Sequence, residues 1–195
     1  MKRITVLILL SSFSLILPPS APAQKKTDER PAKEVYTGTI VSMSGGLLST
    51  GFTLTLEART SDEEAGTYRS ILANEGQDDL FKAIRKNCLG FIAATGQTRR
   101  DLLVVREGEL NGQRRIIAAF ERWQKMFELR GGYRSTDYPY SIIEIVFDQK
   151  GRGTGTFIGL AQVQMKMDKK TERLRLEIEN FGSFPSKIMG VMRRN

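Results

Sequence analysis

Leu102-Leu103-Val104-Val105-Arg106-Glu107-Gly108-Glu109-Leu110-Asn111-Gly112-Gln113-Arg114-Arg115-Ile116-Ile117-Ala118-Ala119-Phe120 is the stretch whose reading decides the fold. Asn111-Gly112 is the dipeptide most favoured in two-residue type I′ hairpins, because both central residues need positive φ. Placing it at the tip pairs Val105 with Ala118, Val104 with Ala119 and Leu103 with Phe120. Residues 116–120 are then apolar on both faces of their strand. A strand buried on both sides sits centrally in its layer, which predicts a closed barrel or a sandwich capped by a helix.

The pattern repeats outward from this hairpin. Phe52, Leu54 and Leu56 alternate with Thr53, Thr55 and Glu57, the period of a half-buried antiparallel strand. Strands are predicted over 35–43, 52–59, 126–130, 141–147, 154–167, 173–180 and 187–192. A turn closed with Asp168 opposite Thr171 pairs Met165 with Leu174, Val163 with Leu176 and Ala161 with Ile178, so that the apolar side chains share one face. One amphipathic helix is expected, over about residues 78–88, where Leu80, Ile84 and Cys88 recur at a spacing of four and Asp78 and Asp79 sit at the positive end of the dipole. Residues 61–66, SDEEAG, read as an acidic loop. The expected fold class is thus β-rich α+β: an antiparallel sheet closing as a barrel or sandwich, with one packed helix.

The chain opens with Met1-Lys2-Arg3, an apolar run over 4–17, and Ala21-Pro22-Ala23. A basic start, an apolar stretch shorter than the roughly 20 residues of a membrane span, and an A-x-A sequence predict a signal peptide cleaved after Ala23. Residues 24–34 lack large apolar side chains and read as a flexible charged leader, and 35–195 as a single domain. The expected location is outside the cytoplasm, periplasmic or extracellular, with no membrane span in the mature protein.

Composition removes whole classes of chemistry. The 195 residues include no histidine and one cysteine, so histidine-dependent triads, imidazole metal ligands, CxxC redox pairs and Cys-rich zinc sites are all excluded. The net charge of +8 is unevenly spread: residues 24–100 hold 11 basic and 10 acidic side chains, whereas residues 101–195 hold 17 and 12. A basic C-terminal half suits an anionic envelope component or a protein partner; export and the lack of an aromatic-studded basic motif argue against nucleic acid.

No motif assembles an active site, and no catalytic residue, metal or cofactor is assigned. Gly151-Arg152-Gly153-Thr154-Gly155 lacks the spacing of a dinucleotide loop and the Gly-Lys-Ser/Thr of a phosphate loop, and reads as a hairpin turn. Cys88 continues the stripe of Leu80 and Ile84 and is expected in the core. Glu144, set among Ile142, Ile143, Ile145 and Val146, is expected on the outer face of its strand. The most site-like stretch is 130–140, which carries Tyr133, Arg134, Asp137, Tyr138 and Tyr140 between Gly and Pro residues. Such side chains combine broad contact area with directed hydrogen bonds. The expected function is non-catalytic binding of a ligand or partner through those residues. Two alternatives are a carboxylate-dependent hydrolase of an envelope or extracellular polymer and a carrier of a small apolar ligand inside a barrel.

Overall fold

A computed structural model describes residues 33–42, 48–123, 137–168, 173–180 and 185–194. Its elements run β1 (Glu34–Ser42), β2 (Leu48–Leu56), α1 (Asp62–Asn74), α2 (Gln77–Ile84), β3 (Gly90–Ala94), β4 (Arg100–Leu110), β5 (Gln113–Glu121), β6 (Tyr140–Phe147), β7 (Gly153–Asp168), β8 (Arg173–Asn180) and β9 (Ser186–Arg194). Every strand pairs antiparallel with its neighbours. The sheet order is β6-β5-β4-β3-β2-β1-β9-β7-β8, and a further pairing of β6 with β7 closes it. Eight strands therefore form a barrel, and β8 lies outside the ring, attached only to the far half of β7.

The hairpin that predicts the fold forms as expected, with Asn111 and Gly112 at φ 53° and 75°. Val104 pairs with Ala119 and Val105 with Ala118. A bulge between Leu102 and Val104, however, puts Leu102 rather than Leu103 opposite Phe120. The inserted residue lets the strand serve both layers: Leu102 belongs to the barrel interior and Leu103 to the cluster outside it.

That double layer is why residues 116–120 are apolar throughout. Ile116, Ala118 and Phe120 point inward and join Leu54, Leu56, Ile92, Ile143 and Ile145 in a core filled by side chains. Ile117 and Ala119 point outward against a second cluster that contains Leu72, Leu80, Ile84, Tyr140 and Ile142. An eight-stranded barrel is just wide enough for its own side chains. The ligand space expected inside a carrier barrel is occupied here by Tyr36, Phe120, Leu54 and their neighbours.

Two helices, not one, supply the outer layer. Residues 61–66 are not a loop: Ser61 Oγ accepts from Glu64 N at 3.1 Å, and the Glu64 carboxylate accepts from Ser61 N at 2.7 Å. This capping box, with Asp62, Glu63 and Glu64 in the first turn, starts α1. The second helix ends at Ile84 rather than reaching 88. Asn87 turns the chain, donating its Nδ2 to the Leu103 carbonyl and the Tyr68 hydroxyl at 3.0 Å each. Cys88, past that turn, is exposed instead of buried.

The distal hairpin is also corrected. Asp168 faces Arg173, so the connection has four residues, and Met165 pairs with Leu176, Met167 with Leu174, Val163 with Ile178 and Ala161 with Asn180. The slip of two residues keeps each side chain on its predicted face. β1 opens at Glu34, one residue before the boundary read from the sequence. The strand expected over 126–130 and the segment 1–32 lie outside the described residues.

Close approach decides the seam between β6 and β7. A Cβ on Gly155 would lie 1.8 Å from the Glu144 carbonyl oxygen, so the two backbones pass too closely there for any side chain. The turn before it is organised by Asp148, whose carboxylate accepts from the backbone N–H of Lys150 and Arg152 at 2.9 and 2.8 Å. These bonds hold its pKa below the ordinary carboxylate value.

Candidate functional site

Beyond Ala161, β7 leaves β6 and continues with β8 as an arm that stands over the helical layer. The arm's base is stitched by Gln77 at the start of α2. Its Oε1 accepts from Val163 N at 3.1 Å, and its Nε2 donates to the Asp137 carbonyl at 2.8 Å. Between arm, helices and barrel wall runs a groove of about 530 Å³.

Its floor is the outer face of the barrel, with Val104, Ile117, Ala119 and Ile142. One wall is helical, with Tyr68 and Leu72 of α1 and Leu80 and Ile84 of α2. The other is the arm, with Val163, Met165, Leu174, Leu176 and Ile178. Closure over the groove is partial: Leu174 and Leu176 remain 54% and 51% exposed. Large apolar side chains left open along one strand of a monomer mark a binding surface or an interface. Two cations and no carboxylate line the groove among the described residues, namely Arg69 and Arg106. Arg106 is engaged, donating to the Thr60 carbonyl at 2.8 Å and to Asp62 at 2.6 Å. Arg69 is exposed and makes no hydrogen bond or ion pair among the described residues.

Of the residues singled out in 130–140, Tyr133 and Arg134 lie outside the described residues. Tyr140 lies in β6, 2% exposed, against Phe81 at 5.7 Å between ring centroids, and it contributes to the groove lining. Burial pushes its hydroxyl pKa up. Tyr138 is near the arm, its hydroxyl donating to Glu179 at 3.2 Å, and Asp137 reaches the groove's base through Gln77. The structure therefore brings Asp137, Tyr138 and Tyr140 to one end of the groove, whereas the helical and arm residues that form most of it read in the sequence only as apolar packing faces.

A second polar assembly sits at the barrel end where β1 begins. Glu34, 12% exposed, accepts from Arg59 and from Arg114 at 2.8 Å and forms an ion pair with Arg193 at 3.3 Å; Glu107 accepts from Arg59 at 2.9 Å and from Arg114. Arg114 also donates to the Tyr36 hydroxyl at 2.6 Å. The hydrogen bond from Arg114 holds the Glu107 pKa below the ordinary carboxylate value, against the effect of burial. A general acid in a glycoside hydrolase needs the opposite shift, and both carboxylates are already occupied by guanidinium groups. This cluster is an ion-pair network. Glu144 is similarly engaged, 2.6 Å from Arg115 and one-third exposed.

Among the described residues no three Cys, Asp or Glu side chains come together as a metal-ligand set, and no helix is long and apolar enough to cross a membrane. The fold and groove define an eight-stranded antiparallel barrel with a lateral, apolar, arginine-bearing cleft. Comparison of the chain with family models, curated proteins and solved structures finds no match.

Proposed function

We propose that the protein is an exported, non-catalytic binding protein whose lateral groove takes an amphiphile with an acidic head. Its apolar chain lies between the helices and the arm, and its head meets Arg69 and Arg106. The observation that carries this reading is the groove itself: about 530 Å³ of space with apolar floor and walls, outside a filled barrel, with an arginine that has no partner among the described residues. That volume falls within the roughly 300–1,000 Å³ of small-molecule sites. Each methylene buried contributes about 0.8 kcal/mol, so an alkyl chain supplies most of the affinity and the guanidinium selects the head. The reading moves the carrier's ligand from the barrel interior to its outer face, and it keeps the anionic envelope component as the class of ligand. Asp137, Tyr138 and Tyr140 belong to the end of the same site.

The test is calorimetric titration with hexadecanoate and hexadecanol against the wild type and three variants. Ile117→Trp fills the floor and removes binding of both. Arg69→Glu weakens hexadecanoate by about tenfold or more, the worth of a charge-assisted hydrogen bond, and leaves hexadecanol nearly unchanged. Arg193→Glu, outside the groove lining, changes neither. Absence of binding to the wild type, or indifference to Ile117→Trp, rejects the groove as the site. Export is tested separately by sequencing the N-terminus of the protein recovered outside the cytoplasm, which begins at Gln24.

A further inference from the structure

Strand β8 ends the sheet and is bonded to β7 on one side only. Edge strands normally carry devices that discourage pairing, such as proline, bulges or isolated inward charges. This one has no proline or glycine, and its register against β7 runs without a shift from Arg173 to Asn180. Its sequence alternates strictly, Arg173-Leu174-Arg175-Leu176-Glu177-Ile178-Glu179, placing Arg175, Glu177 and Glu179 on the polar face and three large apolar side chains on the other.

That order is self-complementary under a two-fold axis. When a second copy runs antiparallel with the axis at Leu176, Arg175 faces the partner's Glu177, and position 173 faces the partner's Glu179. On the apolar face Leu174 meets the partner's Ile178, and Leu176 meets the partner's Leu176. Sliding the axis to Leu174 sets arginine against arginine, and sliding it to Ile178 sets glutamate against glutamate, so charge selects a single register. The isolated chain leaves the motif incomplete. Arg175 stands across from Lys166, a like charge, and has no partner among the described residues. Leu174, Leu176 and Ile178 are 54%, 51% and 39% exposed.

We propose that two copies of this chain associate through β8, giving a continuous four-stranded antiparallel sheet made of the two arms. The partner's strand flanks the exposed apolar side chains of the arm and extends the groove's outer wall. The proposal stands independently of what the groove holds.

Charge-swap variants test it by sedimentation velocity of the exported chain, with far-UV circular dichroism confirming the fold. The wild type sediments as two chains. Arg175→Glu and Glu177→Arg, each alone, sediment as one chain, because like charges then face each other across the axis. An equimolar mixture of these two variants recovers the two-chain species, since each supplies the charges the other lacks, and the double variant R175E/E177R recovers it alone. Loss of the internal pair between Lys166 and Glu177 cannot produce the mixing rescue. A monomeric wild type at tens of micromolar, or single variants that remain dimeric, overturns the proposal. Monomeric single variants that mixing fails to rescue overturn it as well.

Discussion

Substituting Gly155→Ala probes the closure of the barrel most directly. The new Cβ would sit 1.8 Å from the Glu144 carbonyl oxygen, 2.8 Å from its carbon and 3.0 Å from Ile145 Cα. All three are backbone atoms, so no side-chain rotation relieves the contact, and β6 and β7 must separate by more than 1 Å to reach ordinary van der Waals distance. Separation weakens the ladder on both sides of the Ile145 and Gly155 pair. Loss of two buried backbone hydrogen bonds, at about 1–1.5 kcal/mol each, together with looser packing of Ile143 and Ile145, predicts a destabilisation of about 3–5 kcal/mol. The control is Gly159→Ala on the same strand, whose Cβ would meet only the Phe157 ring at an ordinary 3.5 Å; its effect stays within about 1 kcal/mol. Urea titration followed by circular dichroism reads both from the midpoint, provided the slope is unchanged. If Gly155→Ala unfolds within about 1 kcal/mol of its control, the close approach does not govern the seam.

Two further perturbations separate the outer layer from the barrel end. Ser61→Ala removes the side-chain half of the α1 capping box and should lower stability by about 1 kcal/mol; an unchanged urea midpoint would show that packing alone holds the helix start. Glu107→Gln should flatten the acid limb of the stability curve. The folded pKa of Glu107 lies below its ordinary value of 4.5, so its contribution is complete above that value and fades as pH falls through the lowered one. Urea midpoints of wild type and variant should therefore converge as pH falls below the ordinary carboxylate value and through the lowered one; a gap that persists at the acid end would assign the effect to packing.

The strands were legible because their burial is periodic. Phe52, Leu54 and Leu56 lie inside the barrel as their alternation implies, and Asn111-Gly112 turns where its backbone chemistry demands. The same periodicity explains an error. Shifting the distal hairpin by two residues changes every partner and no face, so the pattern of Met165, Leu174 and Leu176 could not distinguish the registers. Helix α1 was obscured by Gly66, Thr67 and a run of acids that resembles a solvated loop, although Ser61 and Glu64 stood at capping-box spacing and Tyr68, Ile71 and Leu72 followed. Cys88 misled because the four-residue stripe ran past the point where Asn87 turns the chain. The groove had no local signature: α1, α2 and five strands contribute to it, and its residues come together only once the helices have packed on the run of strands from β4 to β8.

The pairing of β1 with β9 joins Val35 to Arg194, neighbours across almost the whole length of the described chain. Contacts between such distant positions form late, after the entropy of a very long loop has been lost. Until β9 arrives, β1 and β7 both present open edges, and the core lacks Ile188 and Val191. The ring therefore closes only when β9 is seated between β1 and β7, and that strand acts as a latch. Removing that strand would leave an open, adhesive sheet in place of a slightly smaller barrel.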